Sequence, residues 1–191
     1  MTLPNKIFFT GAPGSCWSAT AQLIEEVPGF NISDRSPQRE YDKGHRGSYF
    51  GTGMEFEPDY MNPDQAFTDT SGCKLIKSHE WAYQLKDIQV NRPNDWILLM
   101  YRPSYRCHNW WMKSGGFNIT YPDYSWYKDG QIMLEKIREQ NALMLDFAYD
   151  NNLQWSQFNM KWLREIFGQE ISDIALDADS PKDILVTVYK P

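Results

Sequence analysis

The stretch KIFFTGAPGSCWSATAQLI, residues 6–24, limits what this chain can fold into more than any other. Residues 6–10 form a short apolar run ahead of a glycine turn, the pattern of a buried strand. Residues 11–14 supply the turn. Ser15 or Cys16 then opens a helix in which Thr20, Leu23, Ile24 and Val27 share one face, and Pro28-Gly29 stops it. A helix N-terminus carries unpaired N–H groups and partial positive charge, so such a junction can hold an anion without a lysine. Gly11, Gly14, Ser15 and Ser18 are small enough to let one approach. The Walker pattern GxxxxGK[ST] would run from Gly11 to Ser18, but Cys16 stands for its second glycine and Trp17 for its lysine. An ordinary tight strand-to-helix turn fits the same residues.

The remainder of the chain has an α/β order. CKLIKSH, residues 73–79, is a second strand candidate, and WILLMY, residues 96–101, is the clearest one, closed by Pro103. Cys107, Trp110 and Trp111 recur at helical spacing. A helix is expected from Gln131 to about Asp150, with Met133, Ile137, Met144 and Ala148 inward. Ser156 is expected to cap another, with Phe158, Trp162, Ile166 and Phe167 on its apolar side and Gly168 at its end. DILVTVYKP is a candidate terminal strand. The 191 residues, 41% hydrophobic and 15% aromatic, suffice for one domain with a sizeable core and show no repeat or linker. Residues 31–72, polar and glycine-rich, are too long for an ordinary connection and suggest a lid or substrate insertion carrying Arg35, Arg39, Lys43, His45 and Arg46.

The expected architecture is a three-layer α/β sandwich around a mostly parallel sheet, whose ligands bind beyond the carboxyl ends of the strands. Three segments deliver polar groups to that edge: residues 11–18, 77–79 and 102–109. The net charge of −6 argues against nucleic acid as a partner, so an anion site must be a local cluster. Cys16, Cys73 and Cys107 are odd in number and widely spaced, as in a reduced cytoplasmic protein rather than a disulfide framework or zinc site. MTLPNKIFF lacks a signal pattern, and no apolar run is long enough to span a bilayer. Asn118 to Thr120 form a glycosylation sequon without a secretion signal.

Lys77 and His79 are two apart and point the same way if the strand runs that far. A histidine at a strand end can act as a general base, or be a hydrogen-bonded structural residue. Arg102 leaves an apolar strand and could fork onto a phosphate or close a salt bridge at the sheet edge. Arg106, His108 and Asn109 come on the next turns, His108 being expected exposed or packed on the Trp pair.

Together these residues resemble the sulfotransferase family over roughly the first two-thirds of the chain. The family's 5′-phosphosulfate loop, P-[K/R]-S-G-T-T, corresponds to Pro13-Gly14-Ser15-Cys16-Trp17-Ser18. Its strand ending K-T-H corresponds to Lys77-Ser78-His79. Its apolar strand ending in Arg, with a Ser and aromatics further on, corresponds to Arg102-Pro103 and then Asn109-Trp110-Trp111, with one residue deleted. The resemblance implies a P-loop NTPase-like, sulfotransferase-type fold. The implied donor is 3′-phosphoadenosine 5′-phosphosulfate (PAPS) and the product adenosine 3′,5′-bisphosphate (PAP), with no metal. In that family role, Gly11 and the backbone of residues 13–18, with the Ser15 and Ser18 hydroxyls, hold the 5′-phosphosulfate. Arg102 and Asn109 hold the 3′-phosphate, His79 takes the acceptor proton, and Lys77 neutralises charge on the transferring group. The acceptor is a hydroxyl or amine of a small molecule or carbohydrate. Tyr49, Phe50, Tyr60, Trp81, Trp110, Trp111, Tyr121, Tyr124, Trp126 and Tyr127 are aromatics that could line its pocket or simply pack.

Two departures stand out. Gly14 replaces the family's loop Lys or Arg, for which Lys77 or the basic residues 35–46 are the candidate substitutes. The family's C-terminal R-K-G signature is not visible. Two other readings remain open: the same fold holding a nucleotide or sulfated ligand without catalysis, and a degenerate P-loop nucleotide kinase or NTPase, which would need Mg²⁺.

Overall fold

The computed structural model describes residues 2–34, 60–63, 67–113, 129–168 and 183–191, and within the first helix it leaves out the side chains of Ser18, Ala19 and Gln22. Most of the expected insertion lies outside the described residues.

The chain is an α/β fold. Strand β1 (Lys6–Gly11) leads into α1 (Trp17–Glu25) and the two-residue strand β2 (Phe30–Asn31). Strand β3 (Cys73–Lys77) runs into a 3₁₀ turn (His79–Tyr83) and α2 (Leu85–Asn91). Strand β4 (Trp96–Tyr101) precedes α3 (Ser104–Lys113) and α4 (Gly130–Asp150). Strand β5 (Ser156–Gln157), α5 (Met160–Phe167) and β6 (Leu185–Tyr189) complete it. The six strands lie in the order β2-β3-β1-β4-β6-β5. β2, β3, β1 and β4 are mutually parallel, whereas β6 runs antiparallel to β4 and to β5. The sheet is therefore mixed and mostly parallel.

The apolar runs form strands because helices cover both faces of the sheet. Side chains alternate along a strand, so β1 feeds two cores. Ile7 and Phe9 join Leu75, Leu98 and Met100 under Trp17 and Ile24 of α1 and Trp162 and Phe167 of α5. Phe8 joins Ile76, Ile97 and Leu99 under Trp81, Cys107, Ile137 and Met144, from the 3₁₀ turn, α3 and α4. Each large side chain buried this way contributes roughly 1.5–3 kcal/mol. Met133, Ile137, Met144 and Ala148 of α4 are buried, as their spacing required.

The cap of α5 differs from expectation. Ser156 lies in β5, and the Asn159 side chain accepts from the Trp162 N–H instead. Gly168 ends the helix with φ +69°. Among the described residues no helix is long and apolar enough to cross a membrane.

Strand order places the site. From β1 the chain moves to β2 and β3 on one side, then crosses to β4 on the other. The order reverses at β1, and the carboxyl end of such a strand opens a crevice where ligands of α/β sheets bind.

Candidate functional site

The β1–α1 loop emerges at that reversal. Its backbone is tightly packed. A Cβ on Gly11 would lie 2.8 Å from Ser15 Oγ, and one on Gly14 would lie 2.2 Å from the Cys107 carbonyl oxygen. Gly14 also has φ +79°. A lysine or arginine at position 14 would therefore force α3 off the loop, which explains why a loop cation is missing here. Cys16 has φ +69° although it carries a side chain. Holding a non-glycine residue there costs on the order of 1–2 kcal/mol. The loop thus keeps a glycine-like backbone at the position where the Walker pattern has its second glycine. Such strain concentrates where geometry is maintained for a ligand.

Ser15 is fully buried, and its N–H donates to the Ala12 carbonyl oxygen at 3.0 Å. Its hydroxyl oxygen has no hydrogen-bond partner among the described residues. A buried hydroxyl left unpaired costs about 1–3 kcal/mol, so an orphan in an anion-type loop fits a ligand oxygen. The Ser18 hydroxyl lies outside the described side chains.

Arg102 closes the loop from β4. Its Nη1 donates to the Gly14 carbonyl oxygen at 3.2 Å and lies 3.6 Å from Cys16 Sγ. Its Nε donates to Asp183 Oδ1 at 3.3 Å, and its guanidinium carbon sits 6.0 Å from the Trp110 ring centre. Asn141 of α4 fixes the turn, its Nδ2 donating to the Arg102 carbonyl oxygen at 2.9 Å and to Ser104 Oγ at 3.0 Å. Burial raises the pKa of the Cys16 thiol against the lowering effect of Arg102, so this thiol is not an activated nucleophile. Asn109 is exposed on α3, and Arg106 is the α3 residue that reaches Arg102's partner, its Nε lying 3.6 Å from Asp183 Oδ2. His108 donates from Nε2 to the Gly130 carbonyl oxygen at 2.8 Å, tying α3 to α4.

The end of β3 has a different character. Lys77 shares the α1 side of the sheet with Cys73 and Leu75 and is completely buried. It pairs with Glu25 Oε1 and, at 2.6 Å, with Asp34 Oδ2. Its charge is consumed by two carboxylates and is not directed at the loop. The strand stops at Lys77, so strand alternation does not relate it to His79, which opens the 3₁₀ turn behind a Ser78 cap. The His79 ring lies edge-on to Trp17, centroids 6.2 Å apart, with Nε2 3.8 Å from Glu80 Oε1. Burial drives its pKa down to about 3, so the ring is neutral and its basicity is suppressed.

The three expected segments therefore converge. Thr10 Oγ1 donates to the His79 carbonyl oxygen at 3.3 Å, Trp17 meets His79, and Arg102 meets Gly14. Pro13 lies in the loop's turn. Lys77 and Asn109 do not join the cluster. Of the aromatics, Trp81 and Trp111 are core residues and Tyr60 packs beside that core. Tyr49, Phe50, Tyr121, Tyr124, Trp126 and Tyr127, like Arg35, Arg39, Lys43, His45 and Arg46, lie outside the described residues. Glu25, Asp34 and Asp183 were missed, because one acidic residue in a sequence gives no sign that it will meet a distant cation. Among the described residues no group of three His, Cys, Asp or Glu could hold a metal ion. No protein-family model, curated protein or solved structure matches the chain.

Proposed function

We propose that this protein is a sulfotransferase-type enzyme of the three-layer, P-loop NTPase-like kind. It binds PAPS at the β1–α1 loop and passes the sulfuryl group to a hydroxyl or amine of a small-molecule or carbohydrate acceptor. The observation that carries the reading is the loop itself: an orphaned, buried Ser15 hydroxyl at the strand-order reversal, with Arg102 reaching across to Gly14. The N-terminal N–H groups of α1 and Ser15 Oγ would hold the 5′-phosphosulfate, which supplies an activated sulfuryl group when bound. Arg102 would hold the 3′-phosphate, its backbone turn fixed by Asn141, while Lys77, enclosed by Glu25 and Asp34, is already committed and does not replace the cation missing from position 14. His79 would accept the acceptor's proton, which requires the bound reactants to bring it a counter-charge or a hydrogen bond that raises its basicity.

The sealed state of His79 favours a second reading, binding of the same nucleotide without transfer. Calorimetry with PAP in the absence of Mg²⁺ tests both: binding is expected, and Arg102→Ala should weaken it at least tenfold. A radiolabelled-donor assay then separates them. Transfer that disappears in His79→Ala, with PAP affinity retained, supports the enzyme. No affinity for PAP in the wild-type chain would sink both readings, and Mg²⁺-dependent ATP binding would point to the kinase-like alternative.

A further inference from the structure

Arg102, between β4 and α3, and Arg106, in the first turn of α3, converge on a single carboxylate. Asp183 Oδ1 accepts from Arg102 Nε at 3.3 Å, and Asp183 Oδ2 lies 3.6 Å from Arg106 Nε. Charge-assisted bonds of this type are normally about 2.7–2.9 Å, and arginine binds a carboxylate best when both oxygens fork onto one guanidinium. Here one carboxylate is divided between two guanidiniums and completes neither fork. Among the described residues two cations face one anion, so a positive charge is left over. The arrangement is buried on the Arg102 side and open on the Arg106 side, Arg106 being 55% exposed and Asp183 29%. It lies beside the loop, since the other arm of Arg102 rests on Gly14.

We propose that Arg102 and Arg106 form a binding site for a dianionic phosphate monoester, and that Asp183 is its resident counter-ion, displaced when the ligand arrives. This deepens the nucleotide reading of the same edge and rests on it. A phosphate monoester brings about −1.5 to −2 charges and three oxygens, enough to satisfy both forks at once. Asp183 brings one charge and two oxygens. Arg106 takes the position that the family resemblance gave to Asn109. Because the ligand must find the arginines released, Asp183 lowers apparent affinity by the fraction of time it occupies them.

The test is isothermal titration of the wild type, Asp183→Asn and Arg106→Gln with PAP, and with adenosine 5′-monophosphate as the probe lacking the second phosphate. Asp183→Asn is expected to bind PAP about tenfold tighter and Arg106→Gln about tenfold weaker, with adenosine 5′-monophosphate affinity nearly unchanged in both. Equal PAP affinity in wild type and Asp183→Asn overturns the competitor role and leaves the nucleotide reading standing. Weaker binding by a folded Asp183→Asn also overturns it, making Asp183 a support that aims Arg102. Circular dichroism checks folding. If Asp183→Asn does not fold, Arg106→Gln decides, because this exposed residue can be changed without touching the core, and unchanged PAP affinity there overturns the site. Failure of all three chains to bind PAP overturns the inference and the nucleotide reading together.

Discussion

The ends of β3 and β4 flank β1, and each finishes an apolar strand with a basic residue, yet the two have opposite fates. Lys77 is enclosed by Glu25 and Asp34, with no exposure. Arg102 shares one partly exposed carboxylate with Arg106, two cations for one anion. The first cluster is closed, and its lysine, fully buried against two carboxylates, is sealed from a ligand. The second is open on one side and carries surplus positive charge. A basic residue at a strand end is thus available for binding only if the surrounding elements leave its charge uncancelled, and the local charge count decides this more than the strand does.

Lys77→Met should have the largest effect. It would remove the buried lysine that pairs with Glu25 and Asp34, and removing one partner of a buried ion pair costs about 3–5 kcal/mol. Urea unfolding should show a loss of that order, much larger than for Arg102→Ala, whose partner Asp183 can turn to water. Similar losses in the two variants would erase the distinction between the strand ends.

The pH dependence of stability tests how tightly the β3 end is sealed. The pKa of His79 is held at about 3 in the folded chain, against ~6.5 when unfolded. Below ~6.5 the unfolded chain takes up a proton that the folded chain refuses. The stability linked to this residue is therefore complete above pH ~6.5 and is lost as pH falls toward 3, at most about 1.4 kcal/mol per pH unit. The difference between wild type and His79→Gln isolates this slope from the carboxylates. A flat difference across that interval would show that protons reach the ring in the fold.

Ser15→Ala should have the smallest effect, and its two readouts should move in opposite directions. Deleting an orphaned buried hydroxyl should leave the urea midpoint unchanged or raise stability by up to about 1 kcal/mol, while PAP affinity falls a few-fold. A clear loss of stability would mean that the hydroxyl already serves the folded chain.

Local pattern carried the fold a long way. Period and punctuation located β1, β3, β4, α4 and α5, because continuous apolar runs and helical stripes record burial directly. The 3₁₀ turn with α2 (His79–Tyr83 and Leu85–Asn91) escaped notice, being short and embedded in an aromatic, polar stretch. So did β2 and β5, which are two residues each and exist only through their neighbours. At the site, loop composition identified Gly11, Gly14 and Ser15 as one unit. It could not show that Gly14 is obligatory, since the obstacle is the carbonyl of Cys107, far along the chain. The enclosure of Lys77 was illegible for the same physical reason. Its partners Glu25 and Asp34 come from α1 and the turn after β2, and nothing local marks them as its counter-ions.

The reversed direction of β6 has a consequence for the order in which the site is assembled. Running against β4, with Leu185 opposite Tyr101, β6 begins where β4 ends and so brings Asp183 to the carboxyl edge. A parallel strand would have put that carboxylate at the far end of the sheet. Arg102 thus waits for a residue 81 positions later in the chain before it acquires its counter-ion. During synthesis the loop, Arg102 and Arg106 emerge from the ribosome well before Asp183, so a nascent chain presents its basic edge uncovered. The carboxylate that quiets the edge is thus synthesised after every other group in the cluster.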